Sequence, residues 1–272
     1  MKLLKNKKVI ILLIVLVLIG GIGAVVLGRR DQDESQPIEE QERRRITDPV
    51  NVIPIAQRPY VAITPRADGR HLDINIIQLN KPATEVDYEL EYQSGSMLQG
   101  AMGLIQLSSL PASEEIFLGS CSAGGACTYH ENITGGNLLL RFSGDGESYA
   151  VKTDWRYFDN VSRENSVASR DAKFQLEAAA LASQRYLVVF NSYGLPEGLQ
   201  GDVIADHFAL RSSANLQTSS GLGSLSIRTN EESETAIVVG YDGESWHEFD
   251  TTIEGKEVKA EVQLMELYTV IR

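Results

Sequence analysis

Alternation of apolar with polar or charged side chains constrains this chain more than any other feature. Val86, Tyr88, Leu90 and Tyr92 alternate with Asp87, Glu89 and Glu91, and Leu72, Ile74 and Ile76 alternate with Asp73 and Asn75. Tyr149, Val151, Thr153 and Trp155 repeat the pattern. A period of two sends successive side chains to opposite faces of an extended backbone, so these segments read as half-buried strands. Shorter apolar runs at 60–64, 102–107, 115–118, 127–130 and 137–142 are separated by turn signals such as Ala67-Asp68-Gly69 and Gly144-Asp145-Gly146. Many short strands at this spacing predict an antiparallel sandwich of immunoglobulin or fibronectin type over 58–158.

A polar gap over 159–171 lacks aromatics and reads as a linker to a second block, 172–272. That block opens with 172–184 (AKFQLEAAALASQ), which fits helix or strand: its residues are helix formers, yet Phe174, Leu176, Ala178 and Ala180 alternate. Runs at 186–190, 207–210, 222–228, 236–241, 245–249, 257–262 and 267–271 then read as strands. The predicted fold class is therefore all-β, with two tandem antiparallel β-sandwich domains.

The last third carries a family pattern. Tyr241-Asp242-Gly243-Glu244-Ser245-Trp246 is followed by Phe249, Thr251 and Thr252, by Val258, Ala260 and Val262, and by Leu267, Tyr268 and Val270. Leu195-Pro196-Glu197 and 224–228 fit upstream. The region 172–272 resembles the ZU5-related β-sandwich modules of bacterial and archaeal cell-surface proteins. The resemblance implies a structural surface module. Some relatives cleave themselves at a His-Phe-Ser step near the last strand; Leu264-Met265-Glu266 stands there and has neither base nor hydroxyl, so that activity does not carry over.

The N-terminal part has a different composition. Lys2, Lys5, Lys7 and Lys8 precede an unbroken apolar run over 9–27, about 28 Å long as a helix at ~1.5 Å per residue and close to the ~30 Å bilayer core. The only small-x-small cleavage candidate, Gly21-Ile22-Gly23, lies inside this run, so a retained single transmembrane helix is expected, with the lipid bilayer as partner. The lysines put a cytoplasmic tail at 1–8 and the rest outside, although Arg29, Arg30 and Arg43–Arg45 weaken the asymmetry. Gly20, Ala24 and Gly28 form a four-residue stripe that offers a weak homodimer contact. Residues 28–57, polar and carrying Pro37, Pro49 and Pro54, read as a flexible stalk.

Charge and cysteine content narrow the chemistry. No acid precedes Asp31, so beyond residue 30 there are 19 Lys and Arg against 37 Asp and Glu, a balance of −18 that excludes nucleic acid as a natural partner. Cys121 and Cys127, the only cysteines, enclose Ser-Ala-Gly-Gly-Ala between two strand-like runs and read as a structural disulfide outside the cytoplasm, ahead of reduced thiols or a nucleophilic Cys121 with His130. His71, His130, His207 and His247 sit on separate segments without zinc spacing. Asp68, His71, Asp73 and Asn75 form a weak cation set, with an ordinary solvent face as the alternative. Asp-Gly-Glu-Ser occurs at 145–148 and 242–245 and reads as two hairpin turns. Tyr88, Tyr92, Tyr149 and Trp155 are either sugar stackers or core pairs, and Asn132 and Asn160 head glycosylation sequons.

No phosphate loop, dinucleotide pattern or nucleophile elbow appears, and no metal or cofactor is expected. No histidine is expected within reach of both a Ser or Cys nucleophile and a carboxylate. The expected function is a membrane-anchored, non-catalytic structural or interaction protein of a cell envelope, whose partner is an envelope protein or glycan. A carbohydrate- or protein-binding adhesin module is the alternative, and a hydrolase a distant one.

Overall fold

Each alternating segment forms an antiparallel strand that buries its apolar face. The computed structural model describes residues 49–216 and 221–272. In chain order the strands are β1 (Tyr60–Pro65), β2 (His71–Gln78), β3 (Glu85–Ser94), β4 (Met97–Gln106), β5 (Ala112–Phe117), β6 (Gly119–Cys121), β7 (Cys127–Tyr129), β8 (Ile133–Ser143) and β9 (Tyr149–Asp159). There follow β10 (Ser166–Ala168), β11 (Phe174–Glu177), β12 (Tyr186–Asn191), β13 (Phe208–Ser212) and β14 (Gly223–Arg228). The last are β15 (Ile237–Tyr241), β16 (Trp246–Phe249), β17 (Thr251–Glu254), β18 (Glu257–Val262) and β19 (Leu267–Ile271). Among the described residues no helix is long and apolar enough to cross a membrane. The expected span over 9–27, with its Gly20, Ala24 and Gly28 stripe, lies outside the described residues.

One nine-stranded sheet, ordered β16-β15-β19-β13-β12-β9-β8-β3-β4, runs through the unit formed by Pro49–Arg272. Its strands come from both expected blocks, joined where β9 pairs with β12 through Trp155↔Phe190 and Tyr157↔Val188. The boundary at 159–171 therefore does not separate two sheets. Part of that stretch is itself strand β10, and Asn160 is buried, its amide donating to the carbonyls of Glu164, Leu181 and Gln184.

Two apolar cores flank the shared sheet. The first sets β1-β2-β5 against β3, β4, β8 and β9, with Ile63, Ile74, Leu90 and Trp155 fully buried. The second involves the five-stranded sheet β10-β11-β14-β18-β17, with Phe174, Leu225, Val258 and Val262. Alternate residues of β12 serve different cores: Val188 and Phe190 the first, Leu187 and Val189 the second. A strand buried on both faces needs a continuous apolar run, and Leu187-Val188-Val189-Phe190 is one.

Two further expectations change locally. The ambiguous stretch 172–184 is neither one helix nor one strand; β11 is followed by a 3-10 turn, Ala179–Ser183, that buries Leu181. The end of the expected stalk is tied down, since Val50 bridges Ala150 and the Asn51 side chain bonds the backbone of Lys152 in both directions.

Candidate functional site

The cysteines meet at the end of the β6–β7 ladder, where Cys121 faces Cys127 and the two sulfurs are bonded. The intervening loop closes on itself through Gly125 N–H to Ser122 O (2.9 Å) and Ser122 N–H to Ala126 O (2.8 Å). Beside it, His130 stands between two hydroxyls, Nδ1 at 3.0 Å from Tyr92 Oη and Nε2 at 3.1 Å from Ser120 Oγ. Among the described residues no carboxylate bonds this ring, and the Cys121 sulfur is already engaged in the disulfide, so Cys121 is not available as a nucleophile to His130.

The expected cation set is occupied by basic side chains. Asp73 binds Arg66 at 2.9 Å, and Asp68 binds His71 Nδ1 at 2.6 Å while accepting the Arg70 backbone N–H. Among the described residues no group of three or more His, Cys, Asp or Glu side chains could hold a metal ion.

His247 corrects the expectation about triads. Its Nε2 is 2.7 Å from Asp242 Oδ2 and 3.1 Å from Ser245 Oγ, so a serine and a carboxylate both lie within reach. The turn explains this: Asp242 Oδ1 accepts the N–H groups of Glu244 and Ser245, which folds the Asp-Gly-Glu-Ser segment back on itself between β15 and β16. These backbone bonds, first that of Ser245, hold the Asp242 carboxyl down to about 2. A relay needs the acid on one ring nitrogen and the nucleophile on the other, and here both compete for Nε2. The cluster caps a hairpin. The Asp145–Ser148 turn likewise joins β8 to β9.

The four candidate sugar stackers are core residues: Tyr88, Tyr92, Tyr149 and Trp155 are 6%, 1%, 7% and 0% exposed. Trp155 Nε1 is buried without a hydrogen-bond partner. Asn160, buried and spending its amide on three carbonyls, is not open to modification, whereas Asn132 is exposed.

Two clefts open on the surface. One of about 700 Å³ runs from Arg156 and Phe158 on β9 to Gln175 on β11 and Ser226 on β14. The other, about 280 Å³, is lined by Arg58, Lys152, Arg170 and His207 among others. His207 was not singled out by any motif, yet its setting is specific. Thr269 Oγ1 donates to the Asp206 carbonyl (3.4 Å) and so accepts from His207 Nδ1–H (3.2 Å). Burial lowers the ring to about 4, leaving it neutral, with no hydrogen bond to Nε2 among the described residues. Arg58, which donates to the carbonyls of Ile53 and Asn51, is spent on tying down residues 49–57.

The outer edge of the central sheet is the most unusual surface. β4 is ten residues long, and its sequence MLQGAMGLIQ contains no charge. Its alternate residues Ala101 and Ile105 pack on the first core, while Leu98, Met102 and Leu104 point outward, 67%, 67% and 47% exposed. Other sheet edges are short, charged or covered: β10 has three residues, β16 and β17 have four each with Glu248 and Glu254, β5 carries Glu114 and Glu115, and β1 is buried and ends at Pro65. A long free edge strand without charge is a template for pairing with another chain, and proteins normally blunt it.

Comparison with known proteins finds no match to this chain among family models, curated proteins or solved structures. No comparison therefore supports the expected likeness of 172–272 to ZU5-related modules, although the Tyr241–Trp246 hairpin and strands β18 and β19 form where strands were expected.

Proposed function

We propose that this chain is a non-catalytic interaction protein of a cell envelope, anchored through residues 9–27 with its N-terminus inside and the β-structure outside. The observation that carries an interaction role is the β4 edge, which has no further strand beside it among the described residues, because strand addition there would pair its outer backbone groups and cover Leu98, Met102 and Leu104. The placement outside rests on the length of the apolar run, its flanking lysines and the Cys121–Cys127 bond, which suits an oxidising compartment. The two cores are read as sandwiches that share a sheet, a stiff platform for presenting one edge. The buried positions of Tyr88, Tyr92, Tyr149 and Trp155 favour protein recognition over glycan stacking at those residues.

Protease treatment of intact cells tests the reading. The β-structured part is expected to be degraded from outside while an epitope on the first eight residues stays protected until the membrane is opened. Full protection of the β-structure, or recovery of the chain in the soluble cytoplasmic fraction, removes the envelope assignment.

A further inference from the structure

The side chains that border β4 specify what kind of strand it would accept. On the outward face Leu104 lies opposite Asp87, Met102 opposite Glu89, Gly100 opposite Glu91 and Gln106 opposite Glu85. Four carboxylates therefore run along β3 immediately behind the apolar stripe. Arg141 on β8 binds Glu89 at 2.9 Å; Glu91 accepts from the neutral Asn137 amide at 2.7 Å, and Glu85 from Gln106 and Ser143. The described contacts thus place four acids along this stretch of β3, with Arg141 bound to one of them. Partial burial and then the neighbouring Glu85 raise the Asp87 carboxyl above its usual value.

An added strand would lie one spacing, about 4.8 Å, beyond β4 and two spacings from the carboxylates of β3. A lysine or arginine on its outward face can lay its aliphatic stem over Leu98, Met102 or Leu104 and bring its charged end toward the acids. At Gly100 nothing bars the way to Glu91, since that position has no side chain. On the other face of the added strand, apolar side chains would continue the Ala101–Ile105 row beside the first core. Acidic strands are repelled by the same ladder, and a second copy brings its own excess of acid.

Building on the reading of β4 as a docking edge, we propose that β4 binds an extended segment that alternates basic with apolar residues, its basic side chains crossing the Leu98–Met102–Leu104 stripe toward Glu85, Asp87, Glu89 and Glu91.

The test uses the full chain in nanodiscs of uncharged lipid and an end-blocked, fluorescent decapeptide of alternating lysine and valine. Controls are a glutamate–valine counterpart and a peptide of the same lysine–valine composition in two blocks. The alternating basic peptide is expected to bind, to slow hydrogen exchange at amides within 97–106, and to weaken about tenfold or more between low and high salt. The controls are expected not to bind. Leu98→Lys with Leu104→Lys should abolish binding, and Glu85→Gln, Asp87→Asn, Glu89→Gln and Glu91→Gln together should weaken it about tenfold and flatten the salt dependence, circular dichroism showing both variants folded. Binding that survives the two lysine substitutions rejects β4 as the docking edge. Binding that needs β4 but ignores salt and the four neutralised acids keeps the edge and rejects the basic partner. Self-association without peptide that the lysine substitutions abolish makes a second copy the occupant and overturns the proposal.

Discussion

His207 carries a clear pH dependence at residue scale. Buried against Thr269 and near Arg58, it is held neutral to about 4, below the 6.5 of a free imidazole. A folded value below the unfolded one means that stability is complete above about 6.5. As pH falls from there the unfolded chain takes up a proton that the native chain refuses, and stability is lost until the native ring also protonates near 4. At ~1.4 kcal/mol per pH unit the window amounts to about 3 kcal/mol. His207→Asn keeps a donor near the Nδ1 position and removes the titration. Denaturant unfolding at pH 7.5, 5.5 and 4.5 should show the native chain losing stability stepwise and the variant losing markedly less over the same range. An equal loss in both would mean that His207 is not the responsible group.

Elements differ in how much change they tolerate, and two glycines show it. Gly136 lies in β8 between β3 and β9, opposite Tyr92 on one side and Trp155 on the other. A Cβ there would run into the Glu91 carbonyl and the Tyr92 backbone, neither of which can move without breaking the ladder. Gly136→Ala is expected to cost at least about 2 kcal/mol in urea unfolding. Gly124→Ala, in the exposed Cys121–Cys127 loop where a new Cβ meets only Ser122 Oγ at 3.9 Å, should stay within about 0.5 kcal/mol of the parent. The hairpin bond itself closes a short loop, six residues apart in sequence, so Cys121→Ser with Cys127→Ser should cost about 2 kcal/mol in the chain-entropy model. In the parent, neither thiol should react with alkylating reagents until a reductant is added. Full labelling without reductant would place the chain in a reducing compartment.

Sharing of the central sheet governs the whole molecule. The first core takes Val188, Phe190, Tyr193, Ala209 and Leu267 from the second half of the chain, and β9 has β12 as its outer partner. Residues 58–158 on their own would expose that side of β9 and leave the core open. This fragment is expected to give no cooperative transition by circular dichroism or calorimetry, whereas the β-structure of the full chain unfolds in a single step. A folded fragment 58–158 with a sharp melt would show that the halves are independent after all.

Local patterning was enough to reveal the all-β class: alternate residues marked the faces of β2, β3 and β9, and short apolar runs marked β1, β8, β12 and β19. The paired cysteines and both Asp-Gly turns were legible for the same reason: their partners lie a few residues away. Strands β6, β10 and β17 were too short to show a period. The first half of β4 hid because Met97-Leu98-Gln99-Gly100-Ala101 does not alternate cleanly. The continuous run at 187–190 hinted that β12 is buried on both faces, but not which sheets would cover it. Only the tertiary structure decided that the two halves share a sheet, that His207 lies against Thr269 and that β4 ends the sheet. Pairing between strands far apart in sequence depends on how their faces fit in space, and no short window of residues encodes that.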